Sequence, residues 1–261
     1  MGEVSPITVI AVTGKGGTGK TVFAAMLILR LCRKGYLLAV DADPDSNLPE
    51  ALGVEEGVEK TLGEVKELFQ HTRDEIRGDK EIWFEAKIFE AINELDEFDL
   101  IVMGRPEGEG CYCYTNNLLR GILRKFMQHY DYVVVDCEAG LEHFSRKTID
   151  RADCVVVVTD TSRKGLKTAE RISSLMCELN LKAKKGLVGN KADERAEEIM
   201  REFAEERGFK FLGALPYDEK LAEYDMLGKS VKDLLLEQPD SKFVRAFEEV
   251  FEKFKSWCLC V

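Results

Sequence analysis

Residues 14–21 combine glycine, lysine and threonine in a spacing that suits phosphate binding. They read Gly-Lys-Gly-Gly-Thr-Gly-Lys-Thr and directly follow the apolar run 7–13. Glycine lets backbone N–H groups approach phosphate oxygens because no Cβ stands in the way. The helical pattern over 22–33 brings the positive end of its dipole to the same place. A strand, a loop and a helix in this order predict a nucleoside triphosphate site.

The residues of this loop have separate expected parts in nucleotide binding. Lys20 should reach the β- and γ-phosphates and contribute to catalysis, and the Thr21 hydroxyl should ligate Mg²⁺. Backbone groups around the phosphates should come from the remaining loop residues, which are Gly14, Lys15, Gly16, Gly17, Thr18 and Gly19. The expected cofactors are therefore a nucleoside triphosphate and Mg²⁺.

Acidic residues end two further apolar runs, and both are candidates for the metal side of the site. The run 132–137 contains Tyr-Val-Val-Val-Asp, so Asp136 is placed to hold Mg²⁺ through water. The run 36–41 leads into Asp-Ala-Asp-Pro-Asp-Ser-Asn over 41–47. Open α/β sheets bind ligands at this carboxyl edge of their strands. Turn chemistry alone would also account for the second group, since Asp and Asn favour such loops.

Apolar runs alternate with helical patterns along nearly the whole chain. Strands are predicted at 7–13, 36–41, 100–104, 132–137, 154–159, 186–189 and 210–215. Helices are predicted at 22–33, 117–129, 166–179, 195–207 and 242–257. Because most strands are apolar on both faces, they favour a parallel sheet covered by helices on each side. We expect an α/β fold with a doubly wound, mostly parallel sheet in a single domain over 1–261. Residues 84–95 fit either a strand or a helix.

Composition limits the classes of partner. The chain carries a net charge of −11, with 45% apolar and 33% charged residues. Nucleic acids and anionic lipid surfaces attract cationic patches, so we expect neither nucleic acid nor a membrane as partner. No apolar run is long enough to span a bilayer, and the first residues lack the pattern of a secretion signal. These features predict a cytoplasmic protein.

The eight cysteines divide into three groups. Without a secretion signal they indicate metal or redox roles in a reducing compartment and argue against a disulfide framework. Four lie in apolar patterns and are expected in the core, namely Cys32, Cys137, Cys154 and Cys177. Cys258 and Cys260 are interpreted as terminal packing or as an auxiliary thiol pair. Cys111 and Cys113 stand apart because they lie in a glycine-rich, polar stretch.

Cys111 and Cys113 are the candidate ligands of a transition metal. Thiolates one residue apart can share an ion, and the helical pattern that follows favours negative charge at its start. A tetrahedral or square-planar thiolate site needs four ligands, whereas this pair supplies two. A two-fold homodimer in which each chain contributes the pair would complete the set around one shared ion. Burial as small apolar residues is the alternative interpretation.

The segment from Lys15 to Thr21 resembles the deviant-loop ATPases, which include cell-division and partition ATPases, the nitrogenase iron protein and metal-centre maturation factors. The resemblance implies that Lys15 is catalytic, crossing a dimer interface to stabilise the partner's transferring phosphoryl group. It also implies that Asp43, on the Mg²⁺ side, positions the attacking water and that Asp41 lies near the metal. Position 18 is Thr where the family commonly has Val. We expect the Thr18 side chain to matter little, because the backbone binds the phosphates.

Two later segments resemble the base-binding regions of the same family. The Asn-Lys-Ala-Asp string over 190–193 implies that Asn190 and Lys191 contact the nucleotide, with Asn190 hydrogen-bonded to the adenine edge. The stretch around Pro216 resembles a second base contact made through backbone groups. An Asn-Lys-x-Asp string usually suggests guanine, so this motif leaves GTP open, whereas the loop favours ATP.

Four segments together resemble one branch of this family. They are the loop 14–21, the acidic segment 41–47, Glu-Gly-Cys-Tyr-Cys-Tyr over 109–114 and Glu-Ala-Gly-Leu-Glu-His over 138–143. They are similar to the nickel-insertion accessory ATPases of carbon monoxide dehydrogenase and acetyl-CoA synthase. The resemblance implies an ATP-dependent metallochaperone that delivers nickel to one of these apoenzymes. It also implies a homodimer in which Cys111 and Cys113 of both chains hold one Ni²⁺ or Zn²⁺. Two alternatives stay open: a partition or division ATPase that assembles on DNA or membrane, and an iron–sulfur reductase or scaffold ATPase.

Overall fold

The computed structural model describes residues 7–104, 113–140 and 151–259, with side chains for all of these except 113–116. Within these ranges eight strands form one sheet. In chain order, β1 to β8 are Thr8–Gly14, Leu37–Ala42, Ile92–Glu94, Asp99–Val102, Tyr132–Cys137, Cys154–Thr159, Lys184–Asn190 and Lys210–Leu215. Their spatial order is β3-β4-β2-β5-β1-β6-β7-β8. All neighbours are parallel except the edge pair β3 and β4, which is antiparallel.

Helices cover both faces of this sheet. In the described ranges, α1 to α10 are Lys20–Leu31, Leu48–Leu52, Leu62–Thr72, Lys80–Phe89, Cys113–Met127, Arg163–Glu178, Glu194–Arg207, Glu219–Met226, Val231–Glu237 and Lys242–Phe254. Successive residues of β1 point to opposite layers, so that Val9 and Ala11 pack in one apolar core and Ile10 and Val12 in the other. The observed sheet confirms the predicted doubly wound, mostly parallel architecture.

Each core has its own set of helices. The first lies under α3 to α7, where the rings of Phe69 and Phe84 have centroids 4.6 Å apart. The second lies under α1, α2 and α8 to α10, where Phe23 meets Phe247 edge to face at 5.7 Å. Full burial of side chains of this size contributes roughly 1.5–3 kcal/mol each. These two layers hold the central strands rigidly, and the loops at the carboxyl ends of those strands carry the candidate site.

The ambiguous segment 84–95 contains both kinds of element. Helix α4 continues to Phe89, and the short strand β3 follows at the edge of the sheet. Asp79 begins the helix, because its side chain accepts hydrogen bonds from the backbone N–H groups of Glu81 and Ile82. Local capping therefore decides the first half of the segment, and pairing with β4 decides the second.

A disulfide joins Cys154 to Cys258, which contradicts the expectation that the cysteines form no disulfide framework. Cys154 begins β6, and Cys258 lies in the π-helical turn Lys255–Leu259 behind α10. Their Cα atoms are 6.4 Å apart although 104 positions separate them in the sequence. Only the packing of α10 beside the sheet brings them together, so no local pattern could reveal the pair. Cys260 lies outside the described residues.

The other core cysteines follow the prediction unevenly. Cys137 is buried as expected, and Cys32 is partly exposed. Cys177 is exposed near the end of α6, so its predicted place in the core is wrong. The apolar face of that helix is formed instead by Ala169, Ile172 and Met176. Cys177 directly follows Met176 and therefore turns away from the core by about 100° around the helix axis.

The last long helix, α10, faces the interior. Phe243, Phe247, Phe251 and Phe254 all lie on its buried side. This spacing of three and four residues makes one continuous apolar stripe. No helix in the described ranges is both long enough and apolar enough to cross a bilayer.

Candidate nucleotide site

The phosphate loop runs from the end of β1 at Gly14 to the start of α1 at Lys20. At two positions only glycine fits. A Cβ on Gly14 would lie 2.1 Å from the carbonyl oxygen of Val158, and a Cβ on Gly19 would lie 2.4 Å from Nδ2 of Asn190. Gly19 also has a φ of 83°, in the left-handed region. The loop is therefore pressed against the ends of β6 and β7.

The loop leaves the start of α1 open to a ligand. Gly19 is the N-cap residue, and no side chain caps the helix. Gly16 and Gly17 form the exposed tip of the loop, and a Cβ on either would meet nothing within 4 Å. The first N–H groups of a helix lack partners within the helix and attract anions. This arrangement is suited to phosphate oxygens, as the sequence predicts.

Two lysines of the loop point to different partners. Lys20 is buried, and its Nζ lies 3.5 Å from the carbonyl oxygen of Lys15. The Nζ of Lys15 instead lies 3.6 Å from Oδ2 of Asp160, at the end of β6 in the same chain. The ammonium group of Lys20 is therefore buried inside the loop, whereas that of Lys15 lies beside the loop, next to the end of β6.

The hydroxyl of Thr18 stabilises the loop, contrary to the expectation that this side chain matters little. Its Oγ1 lies 2.8 Å from the carbonyl oxygen of Lys15 and 3.0 Å from that of Val158. The residue is only 3% exposed. A valine would fill the same volume but could not donate to either carbonyl. This side chain therefore positions the backbone that is expected to bind phosphate.

Asp136 and Asp41 are neighbours across β5 and β2, and both are buried. Neither carboxylate oxygen of Asp136 has a hydrogen-bond partner among the described residues. Burial raises the pKa of Asp136 to about 7, although the nearby Thr21 and the charge of Lys20 oppose the rise. A buried carboxylate without a partner is costly unless a cation compensates it. The donor set of Asp136 and Thr21 therefore fits Mg²⁺.

Asp41 has a different role from Asp136, because its two oxygens order the acidic segment. Oδ1 accepts from the N–H of Asp43 and Oδ2 from the N–H of Leu48, each at 3.0 Å. Burial raises the pKa of Asp41 to about 7 despite these two hydrogen bonds. Asp43 lies in the turn that they fix, and its Oδ1 accepts from the N–H of Asp45. The carboxylate of Asp41 thus holds the backbone from which Asp43 projects.

The predicted base-binding residues lie together at the ends of β7 and β8. Asn190 donates from Nδ2 to the carbonyl oxygen of Thr18 at 2.8 Å, so its amide nitrogen contacts the phosphate loop itself. Lys191 follows in the left-handed region, with a φ of 54°. The N–H of Ala192 bonds to the carbonyl of Leu215, which brings this turn beside Pro216. The predicted base-binding residues therefore lie together on one side of the phosphate loop.

Of the predicted metal-binding cysteines, the structure describes only the backbone of Cys113. Cys111 and the side chain of Cys113 lie outside the described residues, as does the segment 141–150. The described part of α5 starts with the backbone of Cys113. Among the described residues, no three His, Cys, Asp or Glu side chains converge as a metal-binding group.

Asp160 is the site residue that sequence reasoning missed. It follows the apolar strand β6, at the same carboxyl edge as the phosphate loop. Its Oδ1 accepts from the N–H and the hydroxyl of Ser162, the residue that caps α6. An acidic residue at the end of an apolar strand was the signal used for Asp136, and the same signal was available here.

Comparison with known proteins agrees with this geometry. A family model described as the CobQ/CobB/MinD/ParA nucleotide binding domain matches residues 9–231. An uncharacterized ATP-binding protein of Methanocaldococcus jannaschii is 46% identical over 94% of this chain and 97% of its own. The carbon monoxide dehydrogenase accessory protein CooC of Rhodospirillum rubrum is 31% identical over 86% of this chain and 89% of its own.

A solved structure extends the comparison to the fold. The Pyrococcus furiosus cell division ATPase MinD aligns over 96% of this chain and 99% of its own, with a TM-score of 0.69 at 20% identity. Sequence and fold therefore agree on the same class of nucleotide-binding protein. The chain belongs to the CobQ/CobB/MinD/ParA nucleotide-binding family and is an ATP-binding ATPase.

Proposed function

We propose that this ATPase is a cytoplasmic nickel chaperone. Two chains form a homodimer in which Cys111 and Cys113 of each hold one Ni²⁺ as cargo, for delivery to apo carbon monoxide dehydrogenase or acetyl-CoA synthase. The observation that carries the proposal is the 31% identity with CooC over 86% of this chain. The Cys-x-Cys segment adds a chemical reason, because thiolates are ligands for Ni²⁺ and for the competing ion Zn²⁺.

Backbone hydrogen bonds connect the acidic segment with Met103, which precedes the cysteine segment in the sequence. The N–H of Met103 bonds to the carbonyl of Asp41 at 2.8 Å, and the carbonyl of Met103 accepts from Gly63. Gly104 follows directly and precedes the segment that carries Cys111. A shift of the acidic segment on ATP binding would therefore act on Met103 and Gly104, the last described residues before the cysteine segment. This contact supports coupling between ATP hydrolysis and nickel release.

The residues around the loop suit Mg²⁺-dependent hydrolysis of ATP. Asp136 and Thr21 would hold Mg²⁺, which supplies positive charge against the phosphate oxygens. Lys20 would leave the carbonyl of Lys15, to which it makes only a long contact of 3.5 Å, and bind the β- and γ-phosphates. Asp43 would orient the attacking water. Lys15 of the partner would stabilise the charge of the transferring group.

A cysteine variant tests the proposal. We expect replacement of Cys111 and Cys113 by Ala to abolish binding of Ni²⁺ in equilibrium dialysis, while ATP affinity stays unchanged because the phosphate loop is intact. Cys177→Ala is the matched control, since that thiol is exposed on α6 and should not affect either measurement. Nickel that is retained at wild-type stoichiometry in the double variant would refute the assignment.

A division or partition ATPase is the second candidate, favoured by the whole-chain fold likeness to MinD. Assembly on DNA or anionic membrane calls for a basic surface, whereas this chain has a net charge of −11. The apolar stripe of α10 is also occupied in the core. Tight, salt-sensitive binding to DNA or to anionic vesicles would favour this candidate over the chaperone. A brown anaerobic preparation with broad visible absorption would instead indicate an iron–sulfur ATPase.

A further inference from the structure

The side chain of Lys15 is already paired within its own chain. Its Nζ lies 3.6 Å from Oδ2 of Asp160, and both side chains are about a third exposed, at 34% and 35%. The proposed function gives Lys15 a phosphate of the partner subunit to contact. The ammonium cannot remain at Asp160 and reach the partner as well. On the proposed role of Lys15, an exchange of partners would therefore accompany dimer formation.

Asp160 is held in place by contacts other than Lys15. Its Oδ1 accepts from the N–H of Ser162 at 3.1 Å and from the Ser162 hydroxyl at 2.5 Å. Gly165 allows this packing, because a Cβ there would lie 2.2 Å from the same oxygen. Partial burial raises the pKa of Asp160, but the hydrogen bonds of Ser162 and the charge of Lys15 outweigh it and hold the pKa below its ordinary value. The carboxylate is thus fixed and ionised, with Oδ2 directed to the lysine.

The backbone of the loop is held by the same strand end. Thr18 Oγ1 lies within hydrogen-bond distance of both Lys15 O and Val158 O. Val158 and Asp160 are two residues apart at the carboxyl end of β6. This strand end therefore restrains Lys15 twice, through Thr18 at its backbone and through Asp160 at its ammonium group.

We propose that Asp160 is a resting-state partner of Lys15 that restrains the ATP-dependent pairing of two chains, with Thr18 fixing the loop in the same position. Asp160 is a positioning residue here, since it acts through Lys15. The inference rests on the proposed role of Lys15 across the dimer. It adds that each chain must release its own lysine before it can stabilise the phosphate of its partner.

The size of the effect follows from the exposure of the pair. A part-exposed ion pair shifts an equilibrium by roughly two- to five-fold. Two such pairs open for each dimer, so their loss should tighten the dimer by roughly four- to twenty-five-fold. We expect this loss to change the dimer Kd and not the rate of hydrolysis in the dimer, because the ion pair between Lys15 and Asp160 is absent once the dimer has formed.

The variant Asp160→Asn tests the inference. Asparagine keeps an oxygen for Ser162 and removes only the charge that faces Lys15. We expect its dimer Kd, measured by sedimentation equilibrium with the ATP analogue AMPPNP, to fall by about ten-fold. In ATPase assays at increasing protein concentration, half-maximal activity should appear at a correspondingly lower concentration, with the same kcat at saturation. Asp79→Asn, at the exposed cap of α4, is the matched control and should change neither quantity.

A second variant keeps the inference testable if Asp160→Asn folds poorly. Thr18→Val preserves volume and releases the loop from Val158, and we expect a smaller shift of the dimer Kd in the same direction. The variant Asp160→Glu keeps the charge, so its dimer Kd should be close to that of the wild type. An unchanged or weaker dimer in both Asp160→Asn and Thr18→Val would overturn the inference.

A separate variant distinguishes this inference from the proposed function. Lys15→Ala should abolish ATP hydrolysis if the lysine acts across the dimer. Wild-type hydrolysis in Lys15→Ala would refute the role of Lys15, and with it both proposals about this residue. Loss of hydrolysis in Lys15→Ala, combined with an unchanged dimer Kd in Asp160→Asn and Thr18→Val, would refute only the restraint.

Discussion

Asn190 donates its side-chain amide to the carbonyl oxygen of Thr18 at 2.8 Å, across 172 positions of the sequence. Its own oxygen accepts from the N–H of Lys191 at 2.9 Å. The amide therefore connects the end of β7 to the phosphate loop, at the point where Gly19 leaves room for it. A residue expected to read the base is, in this structure, a support for the loop that binds phosphate.

We predict that Asn190→Ala lowers the affinities for ATP and GTP by the same factor. The substitution leaves a buried carbonyl of the loop without its donor, at a cost of about 1–3 kcal/mol. Because both nucleotides place the same triphosphate in the loop, they should be affected equally. Isothermal titration calorimetry with each nucleotide checks this. A loss confined to ATP would show that Asn190 acts on the adenine edge and not on the loop.

We predict that Asp136→Asn stabilises the protein without nucleotide or Mg²⁺ at about pH 8. The pKa of this carboxyl rises from 3.8 to about 7 on folding, so the folded state keeps its proton where the unfolded state has lost it. The contribution of Asp136 is fully present below about pH 4, declines as the pH rises to 7, and is lost above that. The ionised group should then cost on the order of 4 kcal/mol.

The measurement is the difference in free energy of unfolding between wild type and Asp136→Asn, by urea denaturation across this pH range. Using the difference removes the contributions of other carboxyl groups, several of which have lowered pKa values and the opposite pH dependence. Addition of Mg²⁺ with nucleotide should reduce this difference in free energy of unfolding at pH 8, because the cation compensates the charge of the Asp136 carboxylate. A difference that does not vary with pH would contradict the account.

We predict that the disulfide between Cys154 and Cys258 contributes strongly to stability. It closes a loop of about one hundred residues, for which the chain-entropy model gives about 4–5 kcal/mol. Urea denaturation of the oxidised protein with and without reductant measures this contribution. Cys258→Ala should denature like the reduced protein under both conditions, whereas Cys177→Ala should keep the response to reductant. If the purified protein shows eight free thiols and reductant has no effect, the pair does not form.

Local patterns predicted the parts of the fold and site that depend on neighbouring residues. The uniform apolar runs predicted the parallel sheet, because strands buried on both faces need no alternation. The run that ends at Asp136 located a buried acid beside Thr21, and the glycine spacing located the loop. In each case the information lies within one strand and the turn that follows it.

Contacts between distant strands could not be read in this way. The role of Thr18 depends on Val158 lying beside the loop, and the pairing of Lys15 depends on Asp160 at the end of the same strand. The disulfide depends on how α10 folds back on the sheet. These features arise from the spatial order of the strands, which places β6 next to β1 although more than a hundred residues separate them.

The exposed position of Cys177 has a different cause. An apolar sequence pattern predicted a core residue, but the buried stripe of α6 passes through Met176, one residue earlier. A cysteine is small and tolerates either environment, so composition alone does not fix its side. The prediction was wrong because Cys177 lies one residue beyond the buried side of the helix.

The metal content of the nucleotide-loaded dimer tests the central claim most directly. Native mass spectrometry of the protein with Ni²⁺, Mg²⁺ and AMPPNP should show a species of two chains, two nucleotides and one nickel ion. The nickel should be absent from the same dimer of the variant in which Cys111 and Cys113 are both Ala. One nickel in each separate chain, or nickel that persists in the variant dimer, would contradict a site shared between two subunits.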